Sequence, residues 1–170
     1  DVYKRQTKVY PGFPDRKFSI PKNEAKPIKQ NHDVLEGKNK KEFLKGAELA
    51  YETILTSFAN GDTKKFKSLL TSEMNSNFLN AIDERNKEKI KSEFTFIGIK
   101  ESSVEKYEKI KDDLSATVKF VAEVISVKKK EEKIIEGNPD KIKFVTDIWK
   151  FTRNINNKNP NWYLAEIISK

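Results

Sequence analysis

From about Lys41, apolar residues recur at intervals of three and four. Phe43, Leu44, Ala47, Tyr51, Ile54, Leu55 and Phe58 form one stripe, which predicts an amphipathic helix. Gly61 suits the left-handed residue that stops such a helix, and Asp62 or Thr63 can cap the next. Phe66, Leu69 and Leu70 predict a short second helix. Thr71 or Ser72 opens a third, with Met74, Phe78 and Ile82 on one face and Arg85 toward its end.

Beyond the charged stretch from Asn86 to Lys91 the period changes to two. Phe94–Ile99 reads as one extended piece and Ser103–Ile110 as a weaker edge strand, with a turn at Lys111, Asp112 and Asp113. The clearest strand is Leu114–Val127, where Ala116, Val118, Phe120, Ala122 and Val124 share a face and Thr117, Lys119 and Glu123 point the other way. Residues 128–140 make a charged hairpin excursion closed by Gly137 and Pro139. Two aromatic-rich strands follow, joined by an Asn-rich turn and holding both tryptophans, Trp149 and Trp162. In the first, Val145, Asp147, Trp149 and Phe151 alternate with Phe144, Thr146 and Ile148, so both faces need cover. Helices followed by a meander predict an α+β domain, its N-terminal helices packed on a curved four-stranded antiparallel sheet.

Composition bounds the chemistry. The chain of 170 residues has no cysteine, which excludes disulfides, thiolate metal sites and cysteine nucleophiles. Its one histidine, His32, lies in an N-terminal tail, so neither a Ser-His site nor a zinc site is expected, and no metal or cofactor is assigned. The charge of +8 is uneven: residues 1–40 hold ten Lys or Arg against five Asp or Glu, and residues 41–170 hold 24 against 21. Such a tail suits an anionic lipid surface or nucleic acid. Nucleic acid is set aside, because aromatics do not interleave with the basic residues and there are only 4 Arg against 30 Lys.

Residues 1–6 have a permitted coding that matches the end of a common transposase adapter, and are expected to be a translated sequencing artefact. The gene would then be truncated ahead of Thr7, and a membrane anchor could be missing. Residues 7–40, with Pro11, Pro14, Pro21 and Pro27, read as a basic and largely disordered linker. Phe13 and Phe18 are either scattered aromatics or a short docking motif. Residues 41–170 are the domain.

The order of elements resembles the cone-like fold of the nuclear-transport-factor-two-like superfamily, and particular residues narrow the resemblance. Phe43, Leu44, Gly46, Ala47, Ala50, Tyr51, Glu52 and Ile54, followed by Phe58, Ala59, Gly61 and Asp62, resemble the opening helix of the Tim44-like domain family. Agreement continues through Leu69, Leu70, Phe78, Ala81, Ile82 and Arg85, then Gly98, Ile99, Gly137 and Pro139. It ends with Thr146, Asp147, Trp149, Phe151 and Arg153, then Pro160, Asn161, Trp162 and Leu164. The Lys-rich hairpin at 128–133 and Lys150 depart from the pattern. The resemblance implies a cone-like fold with an apolar groove, no catalytic role, and work at an inner membrane. In mitochondria such a domain holds lipid, the translocase and a chaperone together, whereas the bacterial relatives resemble a single N-terminal membrane helix, a linker and this domain. The lysine bias and the adapter point to a bacterial metagenomic source. The expected location is therefore the cytoplasmic face of the bacterial inner membrane, with the matrix side of the mitochondrial inner membrane as the alternative.

Three sets of residues are candidates. Lys38, Lys40, Lys41 and Lys45 surround Phe43 and Leu44, the composition of a membrane-surface anchor, although the same two apolar residues serve equally as core. Tyr51, Phe120, Trp149, Phe151 and Trp162 are candidates for an apolar groove, or for plain core. Asp147, with Arg85, Arg153 or backbone donors as partners, reads as a structural polar group. The alternative is a cone-fold enzyme of isomerase or dehydratase type, with Asp147 as base in a closed pocket beside Tyr51 or Tyr107. Ile148 and its neighbours would serve a third possibility, a self-associating scaffold. The oligomeric state is left open.

Overall fold

The first helix, α1 (Gly37–Asn60), turns Phe43, Ala47, Tyr51, Ile54 and Ser57 inward, the three-and-four spacing that makes one buried stripe. The computed structural model describes residues 31–169, and the expectations for the adapter-like stretch, the prolines and Phe13 and Phe18 lie outside the described residues. Helix α1 stops where Gly61 takes the left-handed conformation, φ 74° and ψ 20°. The N–H groups of Gly61 and Asp62 then close back on the Phe58 and Ser57 carbonyls, satisfying acceptors that the helix end leaves open.

Helix α2 (Thr63–Lys67) is a single turn that buries Phe66, and α3 (Ser72–Lys87) buries Met74 and Ile82. Thr71 caps α3, its Oγ1 accepting from the Met74 N–H at 3.3 Å.

Five strands follow: β1 (Ile90–Ile110), β2 (Asp113–Lys130), β3 (Lys133–Gly137), β4 (Lys143–Asn154) and β5 (Tyr163–Ser169). They form an antiparallel sheet in the order β1-β2-β4-β5, and β3 folds back on the far end of β2 as the charged hairpin. The sheet thus follows the expected four-strand path with one short strand added. β1 is one continuous strand rather than two pieces. Register shifts at Phe96/Gly98, Ile99/Glu101 and Val104/Lys106 interrupt its alternation, and such bulges bend a strand without ending it.

The edge of β5 is met by the chain entering α3. Thr71 N–H donates to the Leu164 carbonyl at 3.0 Å, and Leu164 N–H donates to the Leu69 carbonyl at 2.8 Å.

The core lies between the helices and the inner face of β2 and β4. Leu114, Ala116, Val118, Phe120, Ala122 and Val124 alternate inward along β2, and Trp149 and Phe151 do so along β4. The small Ala116 and Ala122 leave room on either side of Phe120 for rings from α1 and β4. Tyr51 stacks on Phe120 at 4.2 Å and meets Trp149 edge-on at 4.7 Å. Each such large side chain contributes roughly 1.5–3 kcal/mol by leaving water. On the other face of β4, Phe144 is exposed with the Lys100 ammonium 5.9 Å from its ring centroid, and Ile148 is half-buried.

Candidate functional site

A cavity of about 860 Å³ that opens to solvent is lined by α1, α3, β4 and β5. Ile54, Leu55 and Phe58 form the α1 wall, and Met74, Phe78 and Ala81, with Glu73 and Asn77, form the α3 wall. The floor is Asp147 and Trp149 of β4 with Ala165, Glu166 and Ile167 of β5. Phe58 and Phe78 meet at 4.9 Å beside it. Met74 and Phe78 lie on the α3 face that the spacing predicts, whereas Glu73, Asn77 and Ala81, four apart, look like a solvent face in the sequence. The placement of α3 beside α1 and the ends of β4 and β5 brings them to a hollow.

Asp147 sits on the inward face of β4, two residues before Trp149, as the alternation predicts. The Tyr51 hydroxyl donates to Asp147 Oδ2 at 2.5 Å. Burial first, and then this bond and the charge of Asp147, push the Tyr51 pKa far above the usual phenol range, so the ring stays a proton donor. Of the two tyrosines expected near Asp147, Tyr51 is the one that reaches it. Tyr107 instead donates to the His32 carbonyl at 2.6 Å. The Trp149 indole is 2 % exposed, and its Nε1 has no hydrogen-bond partner among the described residues.

Arg85 serves the end of α1: its Nη2 donates to the Phe58 carbonyl at 3.0 Å, and its guanidinium carbon lies 5.2 Å from the Phe58 ring centroid. Burial draws its pKa down. Arg153, six residues along β4 from Asp147 and so roughly 20 Å away, lies near Tyr107 and His32.

The five residues read as a groove do not share one surface. Trp149 lines the cavity, while Tyr51, Phe120 and Phe151 are buried behind it and Trp162 is half-buried against Phe43, ring to ring at 4.8 Å. Phe43 is 9 % exposed and Leu44 packs on the core. Lys38, Lys41 and Lys45 are exposed on the α1 face opposite Phe43, Ala47 and Tyr51, and Leu49, 64 % exposed, continues that face. Lys40 is half-buried. Among the described residues no three His, Asp or Glu side chains gather as a metal site, and no helix is long and apolar enough to cross a membrane.

Helices leading into a bent meander, with a hollow between them, define a cone-like α+β domain. The Tim44-like domain family model matches residues 25–169, starting ahead of the stretch the motifs cover, and the chain belongs to that family. The family is one of generally non-catalytic proteins associated with membranes and with protein import. The fold is also that of the intermembrane space region of the chloroplast protein ARC6, known from a crystal structure. The likeness is at 12 % identity and a TM-score of 0.50, over 75 % of this chain and 97 % of that one. No curated protein matches the chain.

Proposed function

We propose that the chain is a non-catalytic, membrane-associated adaptor that binds an anionic lipid surface through the start of α1. Its open cavity receives an apolar group from lipid or from a protein, such as a chaperone or translocase component. The observation that carries this reading is the stripe of Lys38, Lys41 and Lys45, turned directly away from the core. Three lysines near an anionic leaflet contribute about 1 kcal/mol each, which gives reversible, salt-sensitive association. Phe43 and Leu44, packed inward, fix the rotation of the helix that presents them. The place of action is the inner membrane, on the cytoplasmic face in a bacterium or, alternatively, on the matrix face in a mitochondrion.

Flotation with vesicles tests it. Binding to phosphatidylglycerol-containing vesicles is expected to fall steeply between low and physiological salt, and to be lost when Lys38, Lys41 and Lys45 are replaced by Glu. Salt-independent binding that is equal on neutral vesicles would contradict it.

One observation favours a second reading. Asp147 lines a cavity and accepts from a tyrosine, the geometry expected of a cone-fold isomerase or dehydratase with Asp147 as base. That reading requires solvent-deuterium exchange into a carbonyl compound, abolished by Asp147→Asn.

A further inference from the structure

The sheet has a second face, turned away from α1 and α3. Ala122 and Val124 point into the core, so Glu123 between them points outward. Opposite Glu123 stand Gly98 on β1 and Phe144 on β4, which places the three in one row across the sheet and on one face. Phe144 is a projection, 60 % exposed. Gly98 is a gap: a Cβ there would meet nothing within 4 Å outside its chain neighbours, so packing inside the chain gives no reason for a glycine. β1 and β4 flank β2 at the same spacing, about 4.8 Å. Projection and gap therefore lie at equal distances on either side of β2.

The surroundings are largely apolar and their charges balance. Ile97, the extra residue of the bulge beside Gly98, is exposed, and Val121, Ile125 and Ile148 are half-buried. Lys119 pairs with Glu101 at 3.9 Å. Glu123 and Lys100, whose ammonium reaches toward the Phe144 ring, have no ion pair among the described residues. A chain of net charge +8 repels its own copies wherever it is basic. This face instead sets one acid and one base beside a single aromatic ring, a charge pattern complementary to itself.

We propose that this face binds a second copy of the chain. A two-fold axis running along β2 between the two sheets turns β4 of one copy over β1 of the other, in the aligned packing of sheet on sheet. Rotation about that axis keeps each row at its own level. Gly98 and Phe144 share the row of Glu123, so each Phe144 enters the Gly98 gap of the other copy, against Ile97. Two Glu123 and two Lys100 gather near the axis as a neutral group of four charges. Neither the basic start of α1 nor the cavity takes part, so the proposal stands apart from the membrane reading.

Analytical ultracentrifugation of the full chain tests it. The wild type is expected to pass from monomer to dimer as its concentration rises. Phe144→Ser removes the projection and is expected to weaken the dimer at least about tenfold, as loss of a central aromatic anchor does. Gly98→Leu fills the gap without a clash inside the chain, and is expected to weaken the dimer comparably while the urea midpoint is kept. Should that variant fail to fold, Phe144→Ser, at an exposed position, still decides. Glu123→Lys and Lys100→Glu each leave four like charges at the axis and are expected to abolish dimerisation, and the two together to restore it, which a merely structural role would not do. A wild type that stays monomeric at every soluble concentration would overturn the proposal, as would a dimer indifferent to Phe144→Ser or a charge exchange that fails to restore association. A monomeric wild type whose flotation with vesicles is lost in Phe144→Ser would assign the face to lipid and overturn it likewise.

Discussion

Tyr51 and Asp147, 96 residues apart in sequence, are joined by a 2.5 Å hydrogen bond that ties the middle of α1 to β4 at the floor of the cavity. The ring packs on Phe120 and Trp149 while its hydroxyl holds a carboxylate, so one side chain secures both the core and the polar floor. Tyr51→Phe keeps the ring and removes the donor. It is expected to cost roughly 1.5–3 kcal/mol, the range for a hydrogen bond to a charged group, read from urea unfolding. An unchanged midpoint would mean that the bond holds nothing in place.

The same pair sets an alkaline limit. The Tyr51 pKa is raised in the folded chain above its ordinary value of 10.0, so above that pH the unfolded phenol gives up its proton while the folded one keeps it. Stability present below pH 10 is therefore lost as pH rises, by at most about 1.4 kcal/mol per pH unit for one proton. In Tyr51→Phe this part of the slope is expected to vanish, which unfolding curves recorded between pH 9 and about 11 would reveal by subtraction from wild type. Parallel slopes would contradict it.

Arg85 closes the C-terminal end of α1 from a different helix, through both the carbonyl and the ring of Phe58. Its hydrogen bond to the Phe58 carbonyl and its place at the negative end of the helix dipole should make Arg85→Met cost about 1–2 kcal/mol. Hydrogen exchange in the last turn of α1 is expected to quicken more than in β2.

The β2–β3 turn is built on Glu131 and Glu132, both left-handed at φ 54° and 66°. Asn followed by Gly adopts this two-residue turn without that strain. Replacing Glu131 by Asn and Glu132 by Gly is therefore expected to stabilise the hairpin by about 1 kcal/mol per residue at most. Amide exchange at Lys130 and Lys133 would report it, and faster exchange would contradict it.

Much of this fold is legible in the residues themselves. The stripe from Phe43 to Phe58, the Gly61 stop, the Thr71 cap and the alternation from Ala116 to Val124 each depend on local periodicity, which sequence displays directly. β1 is harder to read, because each bulge shifts the inward face by one residue: Phe96 and Ile99 both pack on the core although three apart. The cavity is harder still. Its walls come from four elements, and whether Glu73 faces water or a hollow depends on tertiary placement that periodicity does not carry. Asp147 could be placed on the inner face, but its bond to Tyr51 required the depth at which α1 settles on the sheet.

The central claim is that the outward face of α1 meets the membrane, and the absence of native cysteine lets it be tested by position. Leu49→Cys on that face and Glu105→Cys on β1 can each carry a single environment-sensitive fluorophore. On anionic vesicles at low salt the label at position 49 is expected to shift to the blue, and the label at 105 to stay as in water. Equal shifts at both positions, or none at 49 while the protein is vesicle-bound, would contradict the account.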